Sequence, residues 1–144
     1  MRLVLDTNVV VSALLWKGAP RRLLRAVAEA GVELCTSRPL LAELAVVLSR
    51  SKFKKKISDL GFSPEQLFDS YAKCAEVVQA ALVPRLAPDP DDDVVIGTAL
   101  AAKADFLITG DRALLSIATY ESVRIISVRE ALDAIARGFP HEDH

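Results

Sequence analysis

Seven acidic residues stand where polar turns or helix starts interrupt apolar sequence: Asp6, Glu43, Asp89, Asp91, Asp92, Asp93 and Asp111. Carboxylates brought close together repel one another, which raises some of their pKa values or calls for a counter-cation. A hard divalent ion with oxygen ligands is the natural partner. Mg2+ or Mn2+ suits a carboxylate site that also keeps waters and meets phosphate. No His or Cys lies near these motifs to suggest zinc. The chemistry such a set supports is metal-assisted phosphodiester hydrolysis, with an activated water oriented in line and charge stabilised on the leaving oxygen. Asn8 and Thr109 are polar neighbours of the acids, suited to orienting ligands or water.

The elements that must position these acids are short strands alternating with helices. Arg2 to Asp6 is an apolar strand ending in an Asp-Thr-Asn turn, after which Val9, Val10, Ala13 and Leu14 recur at helical spacing. Pro20, Leu23, Leu24 and Val27 mark a second helix stopped by Gly31. Val32 to Thr36 is a strand. Pro39 to Leu48 is a helix, with a shorter one over Lys52 to Leu60. Ser63-Pro-Glu-Gln66 is a capping box opening a helix whose periodicity runs through Leu67, Phe68, Tyr71, Cys74 and Val78. Three prolines and four aspartates make Val83 to Asp93 a loop, which feeds a helix over Val94 to Ala102. Asp105 to Thr109 is a strand, Arg112 to Ile117 a short helix and Val123 to Ser127 the last strand. A second capping box, Ser127 to Glu130, opens the terminal helix through Ala136. The expected fold is therefore α/β, a three-layer sandwich with a central, mainly parallel sheet of four or five strands. In such sheets ligands collect outside the carboxyl ends of the strands. Asp6 and Asp111 follow two strands there.

Helix capping is the competing explanation for any one of the aspartates, since Asp is a common N-cap residue. Glu43 is different. At 100° per residue from Leu40 it lies at about −60°, bordering an apolar stripe of about −20° to +100°. Its competing role is a boundary carboxylate whose head reaches water, because an unpaired carboxylate at a core edge is costly.

The chain resembles the PIN-domain family (PilT N-terminus type), and within it the small single-domain proteins regarded as toxins of toxin–antitoxin pairs. The resemblance rests on Leu3-Val-Leu-Asp-Thr-Asn8, on Glu43 within Pro39 to Leu44, on Asp89-Pro-Asp-Asp-Asp93 followed by Ala99-Leu-Ala101, and on Ala104-Asp-Phe-Leu-Ile-Thr-Gly-Asp111. It spans Arg2 to about Ser127. It implies a four-acid Mg2+ or Mn2+ site, endoribonuclease activity on RNA, homodimers and inhibition by a cognate antitoxin. The acids carried across as catalytic and metal-binding are Asp6, Glu43, Asp92 and Asp111. The third has a register that can slip to Asp91 or Asp93, and only one of the three faces the site squarely, since helix neighbours point about 100° apart. Asp89 and Asp93 are expected behind the ligands in supporting roles.

The 144 residues fit one domain, expected over residues 1–138 with a polar tail at 139–144 that holds His141 and His144. Net charge is −1, but residues 17–56 hold ten basic and three acidic residues, a local +7 that leaves −8 for the rest. A polyanion can meet one part while a cation sits in another. Lys52, Lys54, Lys55 and Lys56 are the candidate RNA-backbone contacts, against a plain solvated helix face. Arg21, Arg22 and Arg25 carry the same choice, with an acidic antitoxin segment as a further partner. Trp16 and Phe53 are expected in core or dimer interface more than in base stacking. Both cysteines are expected as small buried thiols. No apolar run reaches the ~20 residues of a membrane span, and no signal-peptide core precedes Trp16, so the expected location is cytoplasmic. The absence of GxxxxGK[ST] and GxGxxG excludes the common NTPase and dinucleotide sites. Two alternatives remain: a non-catalytic RNA- or protein-binding adaptor of the same fold, and a DNA-directed or structure-specific nuclease.

Overall fold

A computed structural model of the chain describes residues 1–138; the expected tail, with His141 and His144, lies outside them. The elements are β1 (Arg2–Leu5), α1 (Thr7–Leu15), α2 (Ala19–Ala30), β2 (Glu33–Thr36), α3 (Arg38–Leu48), α4 (Ser51–Asp59), α5 (Pro64–Ala72), β3 (Ala75–Val77), α6 (Pro90–Ala101), β4 (Phe106–Ile108), α7 (Arg112–Ile117), β5 (Thr119–Tyr120), β6 (Val123–Ile126) and α8 (Val128–Ala136). The strands form one sheet in the order β3-β2-β1-β4-β6-β5. All neighbours run parallel except β5 with β6.

Successive residues of a strand point to opposite faces, so each short apolar strand serves two cores. Leu3 and Leu5 of β1, Leu34 of β2, Phe106 and Ile108 of β4 and Ile126 of β6 face one layer. It is built from α1 to α5 and α8 through side chains such as Val10, Leu23, Leu44, Ile57, Leu67 and Ala131. Val4, Cys35, Leu107 and Ile125 face the other, against Val95, Ile96 and Ala99 of α6 and Leu114 of α7. Burial on both faces is why the strands read as nearly continuous apolar runs. The result is the expected three-layer α/β sandwich.

Helix ends follow local chemistry. Ser63 and Ser127 each accept from the backbone N–H three residues on, at 3.1 Å in both cases, while Gln66 and Glu130 reach back to the N-cap N–H. Gly31, at φ 69°, closes α2 in the left-handed conformation.

Three expectations are corrected. Helix α5 stops at Ala72, and Cys74 and Val78 do not continue it. Ala75–Val77 instead pairs with β2 as an edge strand, because the open edge of β2 offers a ladder that an isolated helix turn cannot match. Cys74 is consequently exposed, while Cys35 is buried as expected. The sheet has six strands rather than four or five, β3 and β5 being too short to carry a period. Helix α6 begins at Pro90 instead of Val94, and of the two places open to Asp91, Asp92 and Asp93, loop or first helical turn, they take the first turn.

The segment 78–89 runs across α6 and is tied to it twice. Ala81 N–H donates to the Gly97 carbonyl at 3.0 Å. Asp93 Oδ1 accepts from the N–H groups of Leu86 and Ala87 at 3.0 and 2.9 Å, with Arg85 Nε 3.7 Å from Oδ2. Gly97 permits this approach, since a Cβ there would run into the Ala81 carbonyl oxygen.

Candidate active site

The strand register brings the first and last acids together. Leu5 lies opposite Ile108, and the Asp6 N–H extends the ladder by donating to the Ile108 carbonyl at 2.9 Å. Asp6 and Thr109 therefore stand side by side at the carboxyl edge. The buried Thr109 hydroxyl donates to Asp6 Oδ2 at 2.7 Å and accepts from the Asp111 N–H at 3.0 Å. One side chain thus ties the first carboxylate to the turn carrying the last. Asp111 caps α7, its Oδ1 accepting from the Ala113 N–H at 2.8 Å. The Asp92 carboxyl group lies near enough to that of Asp111 for Asp111 to act on its ionisation.

This crowding perturbs ionisation. Asp6 is only 8% exposed. Burial raises its pKa, the Thr109 hydroxyl and the Thr7 backbone N–H oppose that, and the charge of Asp111 adds to it. Asp92 is pushed up to about 7, first by its removal from water, then by the hydrogen bond with Asp111 and the charges of Asp111, Asp6 and Asp89. Two neighbouring carboxyl groups cannot both ionise cheaply, so one holds a proton or a cation takes its place.

Glu43, half-buried on α3, is brought to this end of the sheet through Thr7, the residue after Asp6. Thr7 Oγ1 donates to Glu43 Oε1 at 2.6 Å. Of the other candidates, Asp89 caps α6 by accepting from the Asp91 N–H at 2.9 Å and also adds to the charge around Asp92. Asp91 and Asn8 are exposed. Asp93 faces the 78–89 segment. The structure therefore brings together Asp6, Asp92 and Asp111, with Glu43 one residue removed. Thr7 was not singled out in the sequence, where it read only as the middle of an Asp-Thr-Asn turn. The signal was there in a hydroxyl beside an acid, opposite a helix carrying an edge glutamate.

The basic candidates lie on α2 and α4. Lys52 sits 5.0 Å from the Phe53 ring centre and Lys56 6.0 Å from that of Trp16, whose ring meets Phe53 edge-on at 5.8 Å. Phe53 is partly buried and packs against the core, as expected, whereas Trp16 remains 43% exposed beside the α4 lysines. Lys55 pairs with Asp59 at 3.5 Å, an exposed pair of little energetic weight. Arg21 donates to the Ala13 and Leu14 carbonyls at 3.2 and 3.3 Å and so closes the end of α1.

Among the described residues no three acidic, His or Cys side chains close around a single point. The carboxylates meet as a neighbouring pair, Asp92 and Asp111, with Asp6 beside them. That donor set fits Mg2+, which keeps several waters and takes one or two carboxylates plus substrate phosphate.

A family model described as PIN domain matches residues 2–113. The chain belongs to the PIN-domain family. PIN domains are generally nucleases, and PIN nucleases typically use divalent metals. No curated protein matches the sequence. Among solved structures, a chain of VapBC2 from Rickettsia felis, bound to a DNA fragment from their promoter, matches with a TM-score of 0.62 at 17% identity. The match covers 88% of this chain and 98% of that one, and it supports the PIN fold described above. No helix among the described residues of this PIN domain is long and apolar enough to cross a membrane.

Proposed function

We propose that this PIN domain is a metal-dependent endoribonuclease and the toxin of a toxin–antitoxin pair. Asp6, Glu43, Asp92 and Asp111 would form its catalytic and metal-binding set. The observation that carries the proposal is the Asp6–Thr109–Asp111–Asp92 cluster at the carboxyl edge of a parallel sheet, where removal from water, with the hydrogen bond and charge of Asp111 and the charges of Asp6 and Asp89, pushes Asp92 up to about 7. When bound, Mg2+ or Mn2+ supplies water activation and charge neutralisation on the phosphodiester. The chain's part is positional. Thr109 fixes Asp6 and the Asp111 turn, and Thr7 fixes Glu43, while Asp92 would hold the ion as a carboxylate. The lysines of α4, with Trp16 and Phe53 beside them, would neutralise RNA phosphates. Likeness to a chain of a VapBC complex supports a cognate antitoxin as partner. The family resemblance supports a homodimer, and we place the protein in the cytoplasm.

The test is incubation with single-stranded and structured RNAs and matched DNAs, in Mg2+, Mn2+ or EDTA, with wild-type protein and the Asp6→Asn variant. We expect metal-dependent RNA cleavage that falls about 100-fold or more in the variant while its circular dichroism is unchanged. Undiminished cleavage by Asp6→Asn would remove the assigned site. Cutting confined to DNA would assign a DNA-directed nuclease, and binding without cutting under any condition would assign an adaptor.

A further inference from the structure

We propose that the groove between the start of α3 and the segment following β3 holds the RNA strand next to the scissile phosphodiester, with Arg38 as its phosphate contact. This rests on the ribonuclease proposal above and adds where the substrate lies. The groove has a volume of about 750 Å3 and is lined by Arg38, Pro39, Val77, Val78, Gln79 and Ala80.

Its place follows from strand register. Val4 lies opposite Cys35, which sets Asp6 level with Ser37. Thr36 lies opposite Val77, and the Val78 N–H continues that ladder to the Thr36 carbonyl at 2.8 Å. One row along the carboxyl edge therefore reads Val78, Ser37, Asp6, Thr109. With strands about 4.8 Å apart, the groove opens about 10 Å from Asp6 on the same edge.

Arg38 is anchored and free at once. Ser37, fully buried, shares a 2.8 Å hydrogen bond with Thr98 of α6, which fixes the backbone just before Arg38. The Arg38 side chain is exposed and, unlike Arg2 and Arg85, forms no ion pair among the described residues. A guanidinium is always charged and its planar fork matches a phosphate in two-point contact. An anionic strand approaching a cluster of carboxylates meets repulsion, and a cation that follows the adjacent strand β2 on the same edge offsets it. Pro39, Val77 and Val78 add apolar wall against which sugar and base faces can lie.

Arg38→Gln, Arg38→Lys and, as control, Lys103→Gln at the opposite edge of the sheet would be compared with wild type on an RNA that the wild type cleaves. RNA affinity would be measured across salt concentrations in an Asp6→Asn background. For Arg38→Gln we expect KM to rise about fivefold, kcat to stay within about twofold, and the slope of log affinity against log salt to shrink by about 0.7, the loss of one phosphate contact. Arg38→Lys should fall between, keeping the charge and losing the fork, and Lys103→Gln should match wild type. An unchanged KM and salt slope in Arg38→Gln, or an equal loss in Lys103→Gln, would overturn the subsite while leaving the ribonuclease standing. A wild-type protein that neither binds nor cuts RNA would overturn both.

Discussion

Asp92 and Asp93 are adjacent and chemically identical, yet the fold gives them different work. Asp92 meets Asp111 and feels Asp6, whereas Asp93 binds the Leu86 and Ala87 N–H groups. Removing the repelled charge with Asp92→Asn should stabilise the fold by about 1 kcal/mol once solvent screening is allowed for, and raise Tm by about 3 °C. It should also abolish cleavage. Asp93→Ala leaves two N–H groups without an acceptor and should cost about 1–3 kcal/mol, with cleavage reduced only as far as α6 is loosened. Thermal denaturation and a cleavage assay on both variants check the assignment. The opposite pattern would move the third acid to Asp93. Nothing in a run of three aspartates distinguishes these roles, because the difference lies in what stands opposite each carboxylate.

Among the elements, α6 is the one whose placement matters most, since its first turn carries Asp92 and its flank holds the 78–89 segment. Gly97 is weakly helical, and Ala would favour the helix by up to about 1 kcal/mol. The new Cβ would meet the Ala81 backbone, which cannot turn aside as a side chain could. Overpacking of this kind costs about 1–3 kcal/mol. Gly97→Ala should therefore destabilise on balance, by about 1 kcal/mol or more, in chemical denaturation. A more stable variant would mean that the segment is not held against the helix. The sequence signals for elements were uneven for a physical reason. Capping boxes at Ser63 and Ser127 and the stop at Gly31 are local hydrogen-bond and backbone effects, so they were legible. Strand β3 was not, because Ala-Glu-Val has no pattern of its own and becomes a strand only by adding to the edge of β2.

For the molecule as a whole, the carboxylate cluster makes stability depend on pH and on divalent ions. Asp6 and Asp92 bind their protons more tightly in the folded protein than in the unfolded chain, where an aspartate titrates near about 3.9. Between about pH 4 and pH 7 the folded state holds more protons. The stabilisation is thus fully present below the unfolded value and is lost as pH rises through about 7. In EDTA, Tm should fall between pH 5 and pH 8. Mg2+ at about 100 times its Kd should restore about 2.7 kcal/mol at pH 8 and much less at pH 5, where protons occupy the site. A Tm independent of both pH and Mg2+ would mean that the acids are not mutually repelling. The amino-acid sequence by itself determined the α/β class and most helix boundaries. It also determined the candidate acids, because these follow from periodicity, capping chemistry and residue type along the chain. Tertiary structure alone decided which aspartate joins Asp111, that Thr7 holds Glu43 and Thr109 holds Asp6, and that Arg38 shares an edge with them. Those facts depend on strand order and register, which bring residues 6, 37, 78 and 109 into one row.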